Sequence, residues 1–206
     1  MKVKFLCYGT LMSNCWVIVE GNEAMVVDAG ATAEEMSLAL EKNGLEPKGV
    51  LLTHGHFDHS LGGAELARKY SIPLYIHEAD NEMLSSGEKN AYMMCYGKDI
   101  DLGRADVLLS DGDEIAFGGE RIKVIHTPGH SRGSVCYLVG DSLLCGDTIF
   151  EISVGRWDLY GGDLATLKQS IKKIEGLGGG LVAYSGHGRS CPIEDALTAA
   201  YKIIGK

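Results

Sequence analysis

Thr53-His54-Gly55-His56-Phe57-Asp58-His59, followed by Ser60-Leu61-Gly62-Gly63, places four metal-capable side chains within six residues, directly after the apolar run Gly49-Val50-Leu51-Leu52. A strand ending in such a cluster brings imidazoles and a carboxylate to one point at the rim of a sheet. His54 and His56 are two apart, so in extended backbone they project to the same side. Asp58 and His59 fall where the chain turns into a helix expected from Asp58 to about Tyr70, and they can face a second point nearby. Two incomplete ligand pairs predict two adjacent metal ions completed from elsewhere in the chain.

At 206 residues the chain is long enough for one sizeable core and short for two, so a single domain over 1–206 is expected. A hydrophobic content of 45% with 23% charged residues suits a globular protein. No apolar run reaches the length of a membrane span, so no membrane partner is expected. The net charge of −9 argues against nucleic acid, which needs a basic face, but it leaves room for a small-molecule substrate. The six cysteines (Cys7, Cys15, Cys95, Cys136, Cys145 and Cys191) show no Cys-x-x-Cys pairing, and no secretion signal precedes them. Reduced thiols in a cytoplasmic protein account for them, with Cys191 packing in the core or a loop.

Strands are expected at Val3–Cys7, Cys15–Val19 and Ala24–Asp28, joined as antiparallel hairpins, followed by a helix from Thr32 or Ala33 to about Asn43. Val50–Leu52 leads into the His/Asp cluster, and Leu74–His77 follows as a strand, with a short helix over Glu78–Leu84. Ser85 to Ala105 has no clean period and three interrupting glycines, which makes it a candidate lid. Its Tyr92 and Tyr96, together with Arg156, are candidate substrate contacts. Hairpins over Glu114–Ile125 and Ser134–Cys145, a helix capped by Asp163, a strand at Leu181–Tyr184 and a helix over Pro192–Ile204 complete the chain. Strands then helices, twice over, predict two packed sheets flanked by helices.

Three further metal-capable residues sit where strands end: His130 after Thr127-Pro128-Gly129, Asp147 after Cys145-Gly146, and His187 within Ser185-Gly186-His187-Gly188. Asp28 ends a strand as well, and it can either orient a ligand histidine or cap the next turn. His77 and His126 belong to no such arrangement and are left out of the site.

His54-x-His56-x-Asp58-His59, Thr127-Pro128-Gly129-His130, Gly146-Asp147-Thr148 and Gly186-His187-Gly188 resemble, in order, the motifs of the metallo-β-lactamase superfamily. The resemblance runs from Asp28 to His187 and implies an α/β fold, the four-layer αββα sandwich. It implies His54, His56 and His130 on one ion, Asp58, His59 and His187 on the other, and Asp147 bridging both. Two divalent metal ions, zinc foremost, or iron or manganese, would then activate a water as hydroxide, with Asp58 orienting it.

Within the superfamily the chain resembles glyoxalase II-like thioesterases, which implies a hydrolase cleaving small acyl thioesters of the hydroxyacyl-glutathione type. Longer relatives grip glutathione with a basic C-terminal region, whereas this chain ends at Lys206, about one helix after His187. Lys98, Arg104, Arg156 and Arg189 are the cations that could substitute, so weak recognition of the thiol half is expected. The alternatives are a persulfide dioxygenase with one iron on His54, His130 and Asp147, or another small-molecule metallo-hydrolase such as a lactonase.

Overall fold

The computed structural model describes residues 1–205. In chain order the elements are β1 (Lys2–Tyr8), β2 (Asn14–Glu20), β3 (Glu23–Val27), α1 (Ala33–Lys42), β4 (Glu46–Leu51), α2 (Phe57–Ser60), α3 (Gly63–Tyr70) and β5 (Leu74–His77). A 3-10 turn over Glu78–Met83 leads to α4 (Tyr92–Tyr96), β6 (Val107–Leu109), β7 (Glu114–Phe117), β8 (Glu120–His126), β9 (Val135–Val139) and β10 (Ser142–Gly146). Last come α5 (Leu164–Glu175), β11 (Val182–Ser185), β12 (Cys191–Pro192) and α6 (Ile193–Ile204).

The strands form two six-stranded sheets, ordered β1-β2-β3-β4-β5-β6 and β12-β11-β10-β9-β8-β7. Side-chain alternation produces the layers. In β2, Cys15, Val17 and Val19 pack with Met36 and Leu40 of α1 and Leu66 of α3, while Trp16 and Ile18 face the second sheet. In β10, Leu143 and Cys145 pack with Leu167 and Ile171 of α5 and Ala196 and Ala200 of α6, while Leu144 faces the first sheet. Burying both faces of each sheet demands near-continuous apolar strands, which is how β2 and β10 read. The expected αββα sandwich is therefore the fold observed.

Several boundaries differ from expectation for identifiable reasons. The first sheet is antiparallel only through β1, β2 and β3; β3-β4, β4-β5 and β5-β6 run parallel. Helices α1 and α3 are the crossovers that parallel pairing requires. The single helix expected over 58–70 is two, broken at Leu61-Gly62. Gly62 is pressed against the Ala31 carbonyl so closely that a Cβ would overlap it. Pro192 precedes α6 instead of opening its first turn, because β12 holds it against Val182. The cysteines are all free thiols, and Cys191 is buried in the α5–α6 layer as expected.

Hydrogen bonds stitch the two sheets together where β4 ends. Tyr137, fully buried on β9, donates its hydroxyl to the Leu52 carbonyl at 2.8 Å, and the Val135 amide donates to the Thr53 carbonyl at 2.8 Å. The Trp16 indole donates to the Ser185 carbonyl at 2.9 Å, and the Asn14 amide donates to Gly186 at 2.6 Å. The segments carrying His54 and His187 are thus fixed to the facing sheet. Tyr137→Phe leaves the packing intact and removes one buried donor. It is expected to cost about 1–2 kcal/mol, a fall in Tm of roughly 3–6 °C. An unchanged Tm would show that this bond contributes nothing.

Candidate metal centre

The four donors of the motif segment and their three turn-borne partners, His130, Asp147 and His187, meet at one rim of the sandwich. His54 Nε2 lies 3.2 Å from His130 Nε2, and His56 Nδ1 lies 2.9 Å from the same nitrogen. Beside them, His187 Nε2 lies 3.3 Å from His59 Nε2 and 3.2 Å from Asp58 Oδ2. Asp147 spans the gap: Oδ1 is 3.3 Å from His59 Nε2, and Oδ2 is 3.8 Å from His130 Nε2 and 3.7 Å from His187 Nε2. Ligands held tetrahedrally at about 2.0–2.1 Å from an ion stand ~3.3 Å apart. In three groups the donor atoms all lie within 4.8 Å of one another: His54-His56-His130, His54-His59-Asp147 and Asp58-His59-His187. Asp147 Oδ1 is buried without a hydrogen-bond partner, which a cation would supply. The donors fit a pair of divalent ions.

The rings are oriented from behind. Asp28 Oδ2 lies 2.9 Å from His59 Nδ1 and accepts from the Thr53 hydroxyl at 2.9 Å; Thr53 Oγ1 in turn lies 3.0 Å from His54 Nδ1. With its proton given to Asp28, Thr53 accepts from His54, so both imidazoles carry hydrogen on Nδ1 and turn Nε2 toward the centre. Asp28 therefore meets the His59 ring and the Thr53 hydroxyl, while the helix cap is Thr32, through a capping box with Glu35. His130 Nδ1 is held at 2.7 Å by the Arg156 carbonyl.

Burial and the neighbouring imidazoles push His54 and His56 well below the usual histidine value, which keeps them neutral. Burial acts against charge on His59 too, yet Asp147, Asp58 and Asp28 together push it up to about 10. Asp58 is held below the usual carboxylate range: His59 and the His187 hydrogen bond outweigh its burial. Three carboxylates around one buried ring make a field that calls for positive charge, and a divalent ion answers it more fully than a proton.

The remaining expectations divide. A cavity of about 330 Å³ opens over the donors, and Arg156 lines it, with its guanidinium held bidentately by Asp158 at 2.7 and 2.9 Å. Tyr92 and Tyr96 are not among the lining residues; they stack behind Phe57, with ring centroids 5.3 and 5.7 Å away. From the 85–105 segment it is Ala91, Met94 and Cys95 that form the wall. The segment is anchored to the motif itself, because the Phe57 amide donates to the Asn90 carbonyl at 3.0 Å. His77 and His126 stack on each other 4.0 Å apart, away from the donors.

Asp80 was not anticipated. Wholly buried, it accepts from the Gly55 amide at 3.0 Å, the Gly133 amide at 2.6 Å and the Ser131 hydroxyl at 2.6 Å. It thereby ties the His54–His56 turn to the His130 turn. A carboxylate three residues past a strand end carried too little pattern to single out, although its place beside the Leu74–His77 strand is the signal available. Asp80→Ala strands the two buried amides, Ser131 retaining Ser134 Oγ at 2.7 Å, and is expected to cost about 2–4 kcal/mol, read as a lower urea midpoint at constant m-value. An unchanged midpoint would remove Asp80 from the framework.

Comparison with known proteins agrees with this geometry. The Bacillus subtilis protein YqgX, named a probable metallo-hydrolase, is 33% identical over 201 residues, covering 96% of this chain and 94% of its own. The crystal structure of BLEG-1 B3 metallo-β-lactamase superposes with a TM-score of 0.89 at 34% identity, covering 96% and 97% of the two chains. TTHA1623, solved in a di-iron-bound form, superposes with a TM-score of 0.84 at 28% identity, covering 97% and 100%. A hydroxyacylglutathione hydrolase of Dechloromonas aromatica is 32% identical over 172 residues, which is 84% of this chain and 56% of that protein. The family model of the metallo-β-lactamase superfamily matches residues 8–187, and the chain, with its His/Asp metal-binding cluster, belongs to that superfamily.

Proposed function

We propose that the protein is a hydrolase of small acyl thioesters, with weak recognition of the thiol half, working with two divalent ions. His54, His56 and His130 would hold one ion, and Asp58, His59 and His187 the other, with Asp147 shared. Zinc suits the donors first, and iron or manganese after it. The observation that carries this reading is the doubled donor set spanned by one carboxylate. Ions at this position lower the pKa of a bound water and polarise a carbonyl oxygen.

The chain's own groups supply the rest. Asp58, held ionised, accepts a hydrogen bond from the attacking water and aims its lone pair into the cavity. Asp28 and the Arg156 carbonyl keep the histidine nitrogens aimed at the centre. Phe57 and Phe150 line the cavity and exclude bulk water from the reacting carbonyl. A thiolate departs without a proton. The reaction therefore demands no proton donor beyond Asp58 and Asp147, the carboxyls among the described lining residues. The Dechloromonas relative, named a hydroxyacylglutathione hydrolase, supports an acyl thioester as the substrate class.

Purified protein is expected to carry close to two ions per chain by elemental analysis. Asp147→Ala should lose both ions and activity together; retention of both would refute the shared-carboxylate assignment. The metal-loaded enzyme is expected to release thiol from lactoyl-glutathione with a high KM and to leave a β-lactam uncleaved at comparable enzyme concentration. Oxygen uptake with glutathione persulfide on an iron-loaded sample, without thioester cleavage, would replace the hydrolase by a dioxygenase.

A further inference from the structure

The cavity over the donors is bounded, outside the donor cluster, chiefly by Leu11, Phe57, Ala91, Met94, Phe150 and Leu159. Among the described residues, the one lysine or arginine lining it is Arg156, and Asp158 already holds its guanidinium. Lys98, Arg104 and Arg189 do not line it. At about 330 Å³ it lies at the small end of ligand pockets, ~300–1,000 Å³. The protein beyond it carries a net charge of −9. Glutathione, with two carboxylates and one ammonium, finds no free partner for its charges here.

The rim continues the apolar wall. Leu11 is 56% exposed and Met94 is 60% exposed although both line the cavity. Each has an exposed apolar neighbour in the chain, Met12 at 61% and Met93 at 40%, and beyond Phe150 stands Ile152 at 79%. Three segments distant in sequence, through Leu11, Met94 and Phe150, thus present apolar surface to one opening. Scattered exposed apolar residues are ordinary, but their convergence on a cavity mouth marks a binding surface. The methionines suit it, since an unbranched thioether adapts to chains of different shape.

Resting on the thioesterase reading above, we infer that the substrates are thioesters with an apolar, short- to medium-length acyl chain and no charge near the carbonyl. The chain would lie against Leu11, Met94 and Phe150 and extend onto the rim. Charged thiols such as glutathione would be poor partners, and Leu11 and Met94 set the preference for chain length.

The test uses metal-loaded full-length protein with acetyl, butyryl and hexanoyl thioesters of N-acetylcysteamine, a neutral thiol, and with butyryl-glutathione. We expect kcat/KM to rise about two- to fourfold per added methylene, the gain from burying each one. Butyryl-N-acetylcysteamine should exceed butyryl-glutathione at least tenfold. Leu11→Ala and Met94→Ala, both at exposed positions, should flatten the chain-length slope, while their metal content stays that of the unaltered protein. A flat or falling slope, or preference for the glutathione ester, would overturn the inference while leaving the thioesterase reading in place. If no thioester is cleaved, that reading falls, and thermal stabilisation by the same thioesters decides this one. Stabilisation graded by chain length supports it, and ungraded stabilisation or none refutes it.

Discussion

The buried Asp28 carboxylate is the contact on which the metal centre rests. It meets the Thr53 amide at 2.8 Å, the Thr53 hydroxyl at 2.9 Å and His59 Nδ1 at 2.9 Å. One side chain therefore fixes the end of β4, sets the tautomer of His59, and through Thr53 sets that of His54. Burying a carboxylate without partners would be prohibitive. Here every partner belongs to the turn that must be held, so the cost of burial and the precision of the site are the same fact. Gly186 adds the complementary restriction on the far side, because a Cβ there would overlap Asp147 Oδ1 and the His59 ring.

Much of this was legible from residue order. The two-residue spacing of His54 and His56 after an apolar run, and the strand-end positions of His130, Asp147 and His187, located the rim before any coordinates. The layers followed from apolar strands such as β2, which alternate between the helix side and the sheet interface. What stayed hidden depends on approach between distant segments. Asp80 works through Gly55 and Gly133, on two different turns, and no local pattern announces that. Tyr92 and Tyr96 share the segment that walls the cavity, but the short α4 turns them onto Phe57 and leaves Met94 and Cys95 to line the cavity. A five-residue helix is too short for periodicity to predict which face it buries. The parallel half of the first sheet was equally unreadable, since strand direction is decided by the crossover helices.

The site's electrostatics and its cavity pull in different directions, and the division is functional. At the floor, three carboxylates and five imidazoles are crowded into buried space. The walls above them are nearly free of charge. An apolar wall lowers the local dielectric, which strengthens whatever the floor does to a carbonyl oxygen. On the proposed reading, the same wall offers a charged substrate group only Arg156, which Asp158 already holds, so the reaction would proceed with little polar recognition above the floor.

Backbone conformation marks the same region. Five described non-glycine residues have left-handed φ: Leu11 at 54°, Met12 at 62°, Asp28 at 60°, Ser71 at 54° and Ala91 at 68°. Three of them lie at the centre or its cavity: Asp28 meets the His59 ring, and Leu11 and Ala91 line the cavity, with Met12 next to Leu11 in the chain. Such residues cost on the order of 1 kcal/mol each and persist where surrounding structure enforces them. Glycine would relieve the strain at every one of these positions. At Asp28 it would also delete the carboxylate, and at Leu11 and Ala91 it would delete wall. The strain is retained where a side chain is required on a tight turn, so stability is spent where the chemistry needs a fixed donor or a closed wall.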